Sequence, residues 1–156
     1  MIIILKKVFT FIICLAPWFL SVFVPVNNVF YNSLILPFFT PPNAFYGIAW
    51  SITYICIAIS IYNIITSYKY KNIPKSYKKT LLINYIFNQS FMPLFFLLKS
   101  TFLGFVSCLG TFVSCLFLYD ETNNLDEKST KFLNPYVLLS LFATILSITI
   151  YIINAK

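Results

Sequence analysis

Apolar residues along this chain come neither at every second position nor in a narrow helical stripe, but in five long blocks: Val8 to Val26, Phe45 to Ile65, Thr80 to Leu98, Thr101 to Tyr119, and Phe132 to Ile153. A helix of ~20 residues crosses the ~30 Å of hydrocarbon in a bilayer, and each block is long enough. None shows the alternation of an outer-membrane strand. The pattern predicts an all-α integral membrane bundle of five transmembrane helices, with residues 1–156 as a single domain. The first block follows Lys6 and Lys7, as in a signal peptide. It is longer than a typical h-region, however, and no small-x-small cleavage site follows, so a retained first helix is expected.

The intervals carry the punctuation that helix ends need. The first holds Pro37, Pro41 and Pro42, with Thr40 or Asn43 placed to cap the next helix. The second, Ser67 to Lys79, reads as a basic loop. Lys99 and Ser100 are nearly all of the third, so spans three and four must be antiparallel neighbours. The fourth, Asp120 to Lys131, holds every acid in the chain: Asp120, Glu121, Asp126 and Glu127.

Composition agrees with this reading. Only 10% of the residues are charged, whereas a soluble domain needs about a quarter to cover its surface. The net charge of +7 comes entirely from lysines between apolar blocks, and without arginine there is no fork to read a guanine edge. Nucleic acid is therefore not an expected partner; the lipid bilayer is. Histidine is absent too, which removes the commonest metal ligand and general base. Cys14, Cys56, Cys108 and Cys115 sit inside apolar blocks and read as small hydrophobes rather than metal ligands or disulfides. No ionisable acid or base lies within a span, which disfavours proton-coupled transport and intramembrane proteolysis.

The third span carries the most informative polar pattern. Asn84, Asn88 and Gln89 fall at i, i+4 and i+5, close together on one helical face. An unpaired primary amide in hydrocarbon costs several kcal/mol, so this face must point into the bundle. Two readings stand: hydrogen bonds between helices, or a polar patch in a ligand cavity. Phe91 and Pro93 follow, and the proline should loosen the helix there. In the fourth span Gly104, Cys108, Thr111 and Cys115 form a small-residue stripe suited to close helix approach, within one chain or in a homodimer. The fifth span has a similar stripe in Ser140, Ala143, Thr144 and Ser147.

Several segments together resemble one family. They are Leu36-Pro37-Phe38-Phe39-Thr40-Pro41-Pro42-Asn43 with Gly47 and Trp50, Asn84-Tyr85-Ile86-Phe87-Asn88-Gln89-Ser90-Phe91, and Pro135-Tyr136 followed by Phe142-Ala143-Thr144. In this order, from about Phe23 to Asn154, they resemble the TspO/MBR family of tryptophan-rich sensory and translocator proteins. The resemblance implies a five-helix bundle, commonly a homodimer, with a cavity beneath the first loop. It also implies binding of porphyrins such as protoporphyrin IX and haem, and of benzodiazepine-type ligands. Carried over by motif, Pro41 and Pro42 would shape a lid loop, Trp50 and Tyr54 would line the cavity from the second span, Asn84, Asn88, Gln89 and Phe91 from the third, and Ala143 from the fifth. No tightly held cofactor is implied, and no metal.

The departures from the family pattern are informative. Trp18 and Trp50 are the only tryptophans. Phe30 and Leu139 stand where members often carry tryptophan, and Ser107 stands where some place an acid. Some bacterial members degrade porphyrin in light, a chemistry linked to cavity tryptophans that leucine cannot perform. The expected function is therefore binding of a tetrapyrrole or similar flat hydrophobic ligand, with its transport or sensing. A light- and oxygen-dependent porphyrin-degrading enzyme is the first alternative, and a regulatory membrane partner with a vestigial cavity the second. Leu146, Tyr151 and Lys156 fit the loose L-x-Y-x-K sterol pattern, but helix ends at an interface commonly look the same.

Nine lysines (Lys6, Lys7, Lys69, Lys71, Lys75, Lys78, Lys79, Lys128 and Lys131) fall at one end of the alternating spans, against Lys99 and Lys156 at the other. Positive residues stay cytoplasmic, in keeping with a bacterial inner membrane. The expected topology is N-terminus inside and C-terminus outside. A C-terminal alkaline phosphatase fusion should then be active, and a C-terminal reporter active only in the cytoplasm would overturn this topology.

Overall fold

The computed structural model describes residues 2–155, which form helices and connections without a strand among them. Lys156, the last element of the sterol pattern and a member of the lysine-poor end, lies outside the described residues. Five stretches are long and apolar enough to span a membrane: Ile4–Phe23, Asn43–Tyr68, Lys75–Leu97, Thr101–Asn123 and Glu127–Asn154. The first span is α1 (Ile2–Leu15) continued by a 3₁₀ segment, Ala16–Phe23. It begins earlier than the apolar block suggests and changes helix type at Pro17, which has no N–H to give an α-helical ladder. A short α2 (Asn28–Asn32) stands in the first connection, capped by Asn27 Oδ1 accepting from the Phe30 amide at 3.0 Å.

The second span, α3 (Asn43–Asn72), and the third, α4 (Lys75–Met92), absorb almost all of the expected basic loop. Lysine and tyrosine tolerate helix, and long lysine side chains can carry their charge beyond the apolar zone. The reversal is made at Ile73-Pro74 alone, where the residue before proline is held extended (φ −70°, ψ 132°). Neither Thr40 nor Asn43 caps α3. Its N-cap is Pro42, without a side-chain bond, and Asn43 is its first residue, while the Thr40 hydroxyl donates to the Pro37 carbonyl at 2.7 Å and closes the preceding turn.

Pro93 does loosen its helix: Pro93–Leu97 is a π-turn, with the Leu98 amide donating to the Pro93 carbonyl at 3.1 Å. The turn to α5 (Thr101–Asn123) is completed by Lys99 at φ 52°, a left-handed conformation few non-glycine residues adopt. Ser100 then caps α5 by accepting from the Leu103 amide at 3.2 Å. α5 runs past Tyr119 through the first two acids of the expected acidic loop. Asp126 next caps α6 (Glu127–Thr130), accepting from the Lys128 amide at 3.2 Å, the Ser129 amide at 3.1 Å and the Ser129 hydroxyl. The Ser129 hydroxyl, then these amides, hold the Asp126 carboxyl below its ordinary pKa. A 3₁₀ turn, Lys131–Leu133, leads into the last helix, α7 (Asn134–Asn154).

The two ends of the bundle are tied separately. At the lysine-rich end the Tyr68 hydroxyl donates to the Leu125 carbonyl at 2.5 Å, and Ser76 Oγ to Glu121 Oε2 at 3.0 Å. At the other end Asn154 grips the first connection, accepting from the Ile35 amide at 2.9 Å and donating to the Ile35 carbonyl at 2.9 Å. These contacts pair the connections as the alternation of spans requires.

α5 is the centre of the bundle, packed on α4 along one side and α7 along the other. Its small-residue stripe is used within the chain, since Gly104, Cys108, Thr111 and Cys115 are all buried. Ser107 Oγ donates to the Phe87 carbonyl at 2.7 Å and meets Ser90 Oγ at 2.9 Å, while Thr144 Oγ1 donates to the Cys108 carbonyl at 3.1 Å. Cys14 and Cys115 lie in the apolar core with Ile57, Ile64, Leu118 and Leu133.

Gly110 gives the sharpest test of this packing, because an added Cβ would run into the Phe87 ring. Gly110→Ala should destabilise by about 1–3 kcal/mol, the usual cost of overpacking. Gly47→Ala, where nothing lies within 4 Å of the new carbon, should not. Thermal unfolding of both variants in detergent, followed by circular dichroism, checks the contrast.

Candidate functional site

The third span presents its amides inward, where each finds partners. Asn84 is fully buried. Its Nδ2 donates to the Thr111 carbonyl at 3.1 Å and to Ser114 Oγ at 3.0 Å, and its Oδ1 accepts from the Tyr136 hydroxyl at 2.9 Å. One turn on, Asn88 Oδ1 accepts from the Tyr54 hydroxyl at 3.1 Å and from Gln89 Nε2 at 3.0 Å, while Asn88 Nδ2 donates to the Tyr136 hydroxyl at 3.4 Å. Tyr136 thus bridges both asparagines, and four spans are joined through one polar knot.

Gln89 reaches the first span. Its Nε2 donates to the Trp18 carbonyl at 3.1 Å, and its Oε1 accepts from the Ser21 amide at 2.9 Å. Those are the two groups, three residues apart, that a 3₁₀ turn pairs with each other. The side-chain amide bridges the two ends of one turn of the short-pitch helix. The neighbouring Tyr85 hydroxyl donates to the Pro17 carbonyl at 3.1 Å. Proline breaks the α-helical ladder, and the third span supplies partners to the carbonyls beside the break.

The consequence is the position of Trp18, which is only 2% exposed although much of the first span faces outward. Its ring centroid lies 5.4 Å from that of Tyr85, 5.9 Å from Tyr54 and 6.3 Å from Tyr136. Trp50, half-buried, stands 5.6 Å from Tyr54 and 6.3 Å from Tyr136. Trp18 thus packs among three tyrosine rings at the middle of the bundle, and the amides beside it are hydrogen-bonded to the protein itself.

The other expected residues are distributed around this centre. Leu139 lines a shallow, open, outward-facing cleft of about 360 Å³ between the second and fifth spans, with Phe45, Ala49, Ile52, Thr53, Pro135, Leu138 and Phe142. Ala143, half-buried, follows one turn beyond Leu139. Pro41 and Pro42 lead into the second span, and Phe39 beside them holds the first connection against Phe142, 6.5 Å between centroids. Phe91 belongs to a separate cluster, stacked on Phe95 at 5.2 Å, and Phe30 meets Phe95 at 5.5 Å. Ser107 is committed to Phe87 and Ser90 between the third and fourth spans and does not join the polar knot. Sequence reasoning missed Trp18, Tyr85 and Tyr136 as members of the centre. The one available signal was the Pro17-Trp18 pair, an aromatic placed at a helix break in mid-span.

Among the described residues no three His, Cys, Asp or Glu side chains converge. The centre is an arrangement of amides, phenols and indoles, suited to packing and orienting an aromatic molecule. Five apolar helices around a buried aromatic–amide core define a multi-pass integral membrane protein. Residues 9–152 match the TspO/MBR family, and the chain belongs to it. It is 40% identical over 134 residues to the tryptophan-rich protein TspO of Bacillus cereus, covering 86% of each chain. It is 35% identical over 130 residues to the uncharacterized membrane protein YtaB of Bacillus subtilis, covering 83% of each. With the tryptophan-rich protein TspO of Archaeoglobus fulgidus it shares 30% identity over 158 residues, covering 97% of this chain and 99% of that one.

Removing either phenol tests the knot. Tyr136→Phe strips Asn84 Oδ1 of its donor and should destabilise by about 1–3 kcal/mol, the cost of a buried unsatisfied group. Tyr54→Phe should cost less, because Asn88 Oδ1 still accepts from Gln89. Unfolding midpoints of the two variants in detergent should fall in that order.

Proposed function

We propose that this membrane protein binds a flat hydrophobic small molecule, a porphyrin or related tetrapyrrole, where the cleft between the second and fifth spans meets the aromatic centre. The reading rests on one observation: the cleft lies on the helical faces next to those carrying Trp50, Tyr54 and Tyr136, beneath the first connection held by Phe39 and Asn154. At about 360 Å³ it falls at the lower end of small-molecule sites. Its lining is apolar apart from the Thr53 hydroxyl, as suits a greasy ring system entering from lipid.

In this reading Trp50, Tyr54, Leu139 and Ala143 face the ligand, and Pro41 and Pro42 shape the segment above it. Asn84 and Asn88 act one step back, fixing Tyr54 and Tyr136. Sensing or transport would follow from binding. Any homodimer would be built from lipid-facing side chains, since the small-residue stripe of the fourth span is buried within the chain. The lysine-rich end is assigned to the cytoplasm.

A second reading, oxidative breakdown of the bound porphyrin in light, is disfavoured by Leu139, which puts an aliphatic side chain in the cleft wall where an oxidisable indole would stand.

Protoporphyrin IX titrated into the purified protein should quench tryptophan fluorescence saturably at micromolar concentration. Ala49→Phe, which fills the cleft, should weaken binding about tenfold, or ~1.4 kcal/mol. Under illumination in air the bound porphyrin should lose absorbance no faster than a protein-free control. Absence of saturable quenching would overturn the binding reading.

A further inference from the structure

We propose that Trp18 is the built-in occupant of the ligand site: its indole holds the space between Tyr54, Tyr85 and Tyr136 in the unliganded protein, and a flat ligand binds by displacing it together with the 3₁₀ segment. This rests on the binding reading above and adds a residue and a mechanism to it. Trp18 is the large aromatic that closes the centre, with three tyrosine rings within 6.3 Å of its own. An incoming planar ring would need the same partners, edge-on and tilted aromatic faces in an apolar setting.

The segment that carries Trp18 is built to move. Ala16–Phe23 is an eight-residue 3₁₀ helix, whereas such runs rarely exceed three or four residues because their hydrogen bonds are poorly aligned. It belongs to the least buried of the five spans, and Leu20, Val22 and Phe23 on it are exposed, facing lipid in a membrane. Two side chains of the third span hold it: Tyr85 donates to the Pro17 carbonyl, and Gln89 bridges the Trp18 carbonyl and the Ser21 amide. The Trp18 carbonyl and the Ser21 amide could pair with each other once Gln89 let go, as a 3₁₀ turn allows. Gln89 is thus a positioning residue for the plug rather than a ligand contact.

Occupancy by an internal group lowers apparent affinity by the fraction of molecules in which the site is free. Trp18→Ala should therefore bind protoporphyrin IX about tenfold more tightly than the wild type. Gln89→Leu, which keeps the indole and removes the tether, should also tighten binding, by a smaller factor, and serves if Trp18→Ala does not fold. A Gln89 that touched the ligand would give the opposite sign. Hydrogen–deuterium exchange of the peptide covering 16–23 supplies a readout that a merely structural Trp18 would not move. At saturating protoporphyrin IX its exchange should become faster, whereas ligands ordinarily protect what they touch. Saturable binding with unchanged or weaker affinity in both variants, or with slowed or unchanged exchange, overturns displacement and leaves the binding reading standing. No saturable binding in wild type or variants overturns both.

Discussion

The bundle is organised by the cost of leaving a carboxamide unpaired where no water can reach it. Asn84, Asn88 and Gln89 lie in a span otherwise made for lipid, and each brings donors and acceptors that must be matched by protein. Their partners come from the first, second, fourth and fifth spans: the Trp18 carbonyl and Ser21 amide, the Tyr54 hydroxyl, the Thr111 carbonyl and Ser114 hydroxyl, and the Tyr136 hydroxyl. Each interhelical bond adds only about 0.6 kcal/mol on average in a membrane. Their larger effect is on uniqueness, since a rotated or shifted span would strand several polar groups at once.

Prolines set where this arrangement can bend. Pro17 ends the α-helical ladder of the first span and turns Trp18 into the interior; Pro74 confines the second reversal to two residues; Pro93 opens a π-turn that brings Phe95 against Gly104. Each removes one donor and constrains its predecessor. Beside Pro17, Tyr85 and Gln89 donate to the Pro17 and Trp18 carbonyls, so residues that tie down this segment also form the centre of the candidate site.

This coupling gives the site its character. Its aromatic walls are held by hydrogen bonds to their hydroxyls, which leaves the ring faces for packing. The fourth span packs rather than lines, its Ser107, Ser114 and Thr122 hydroxyls donating to carbonyls of its own helix and of the third, and Cys108 giving its own carbonyl to Thr144. The first span is tied to the third by Tyr85 and Gln89 and is apolar on its outer side. On the proposed reading, recognition of a flat apolar molecule and exchange of an internal indole would draw on the same packing.

The five spans, the antiparallel pairing of the third and fourth, the break at Pro93, the inward turn of Asn84 and Asn88 and the family were all legible in the sequence. Each follows from local rules: apolar length, a two-residue turn, a missing N–H, and the impossibility of solvating an amide in hydrocarbon. Helix ends were less legible, because the polar stretches 69–72 and 120–123 remain helical. Which groups the amides meet could not be read from spacing, since a cavity and a packed interface demand the same inward face. Tertiary structure decided the partners by bringing Trp18, some 70 residues away in sequence, onto Gln89. That contact depends on how a 3₁₀ segment in one span packs against a distant helix, and hydrophobic pattern along the chain carries no record of such a distance.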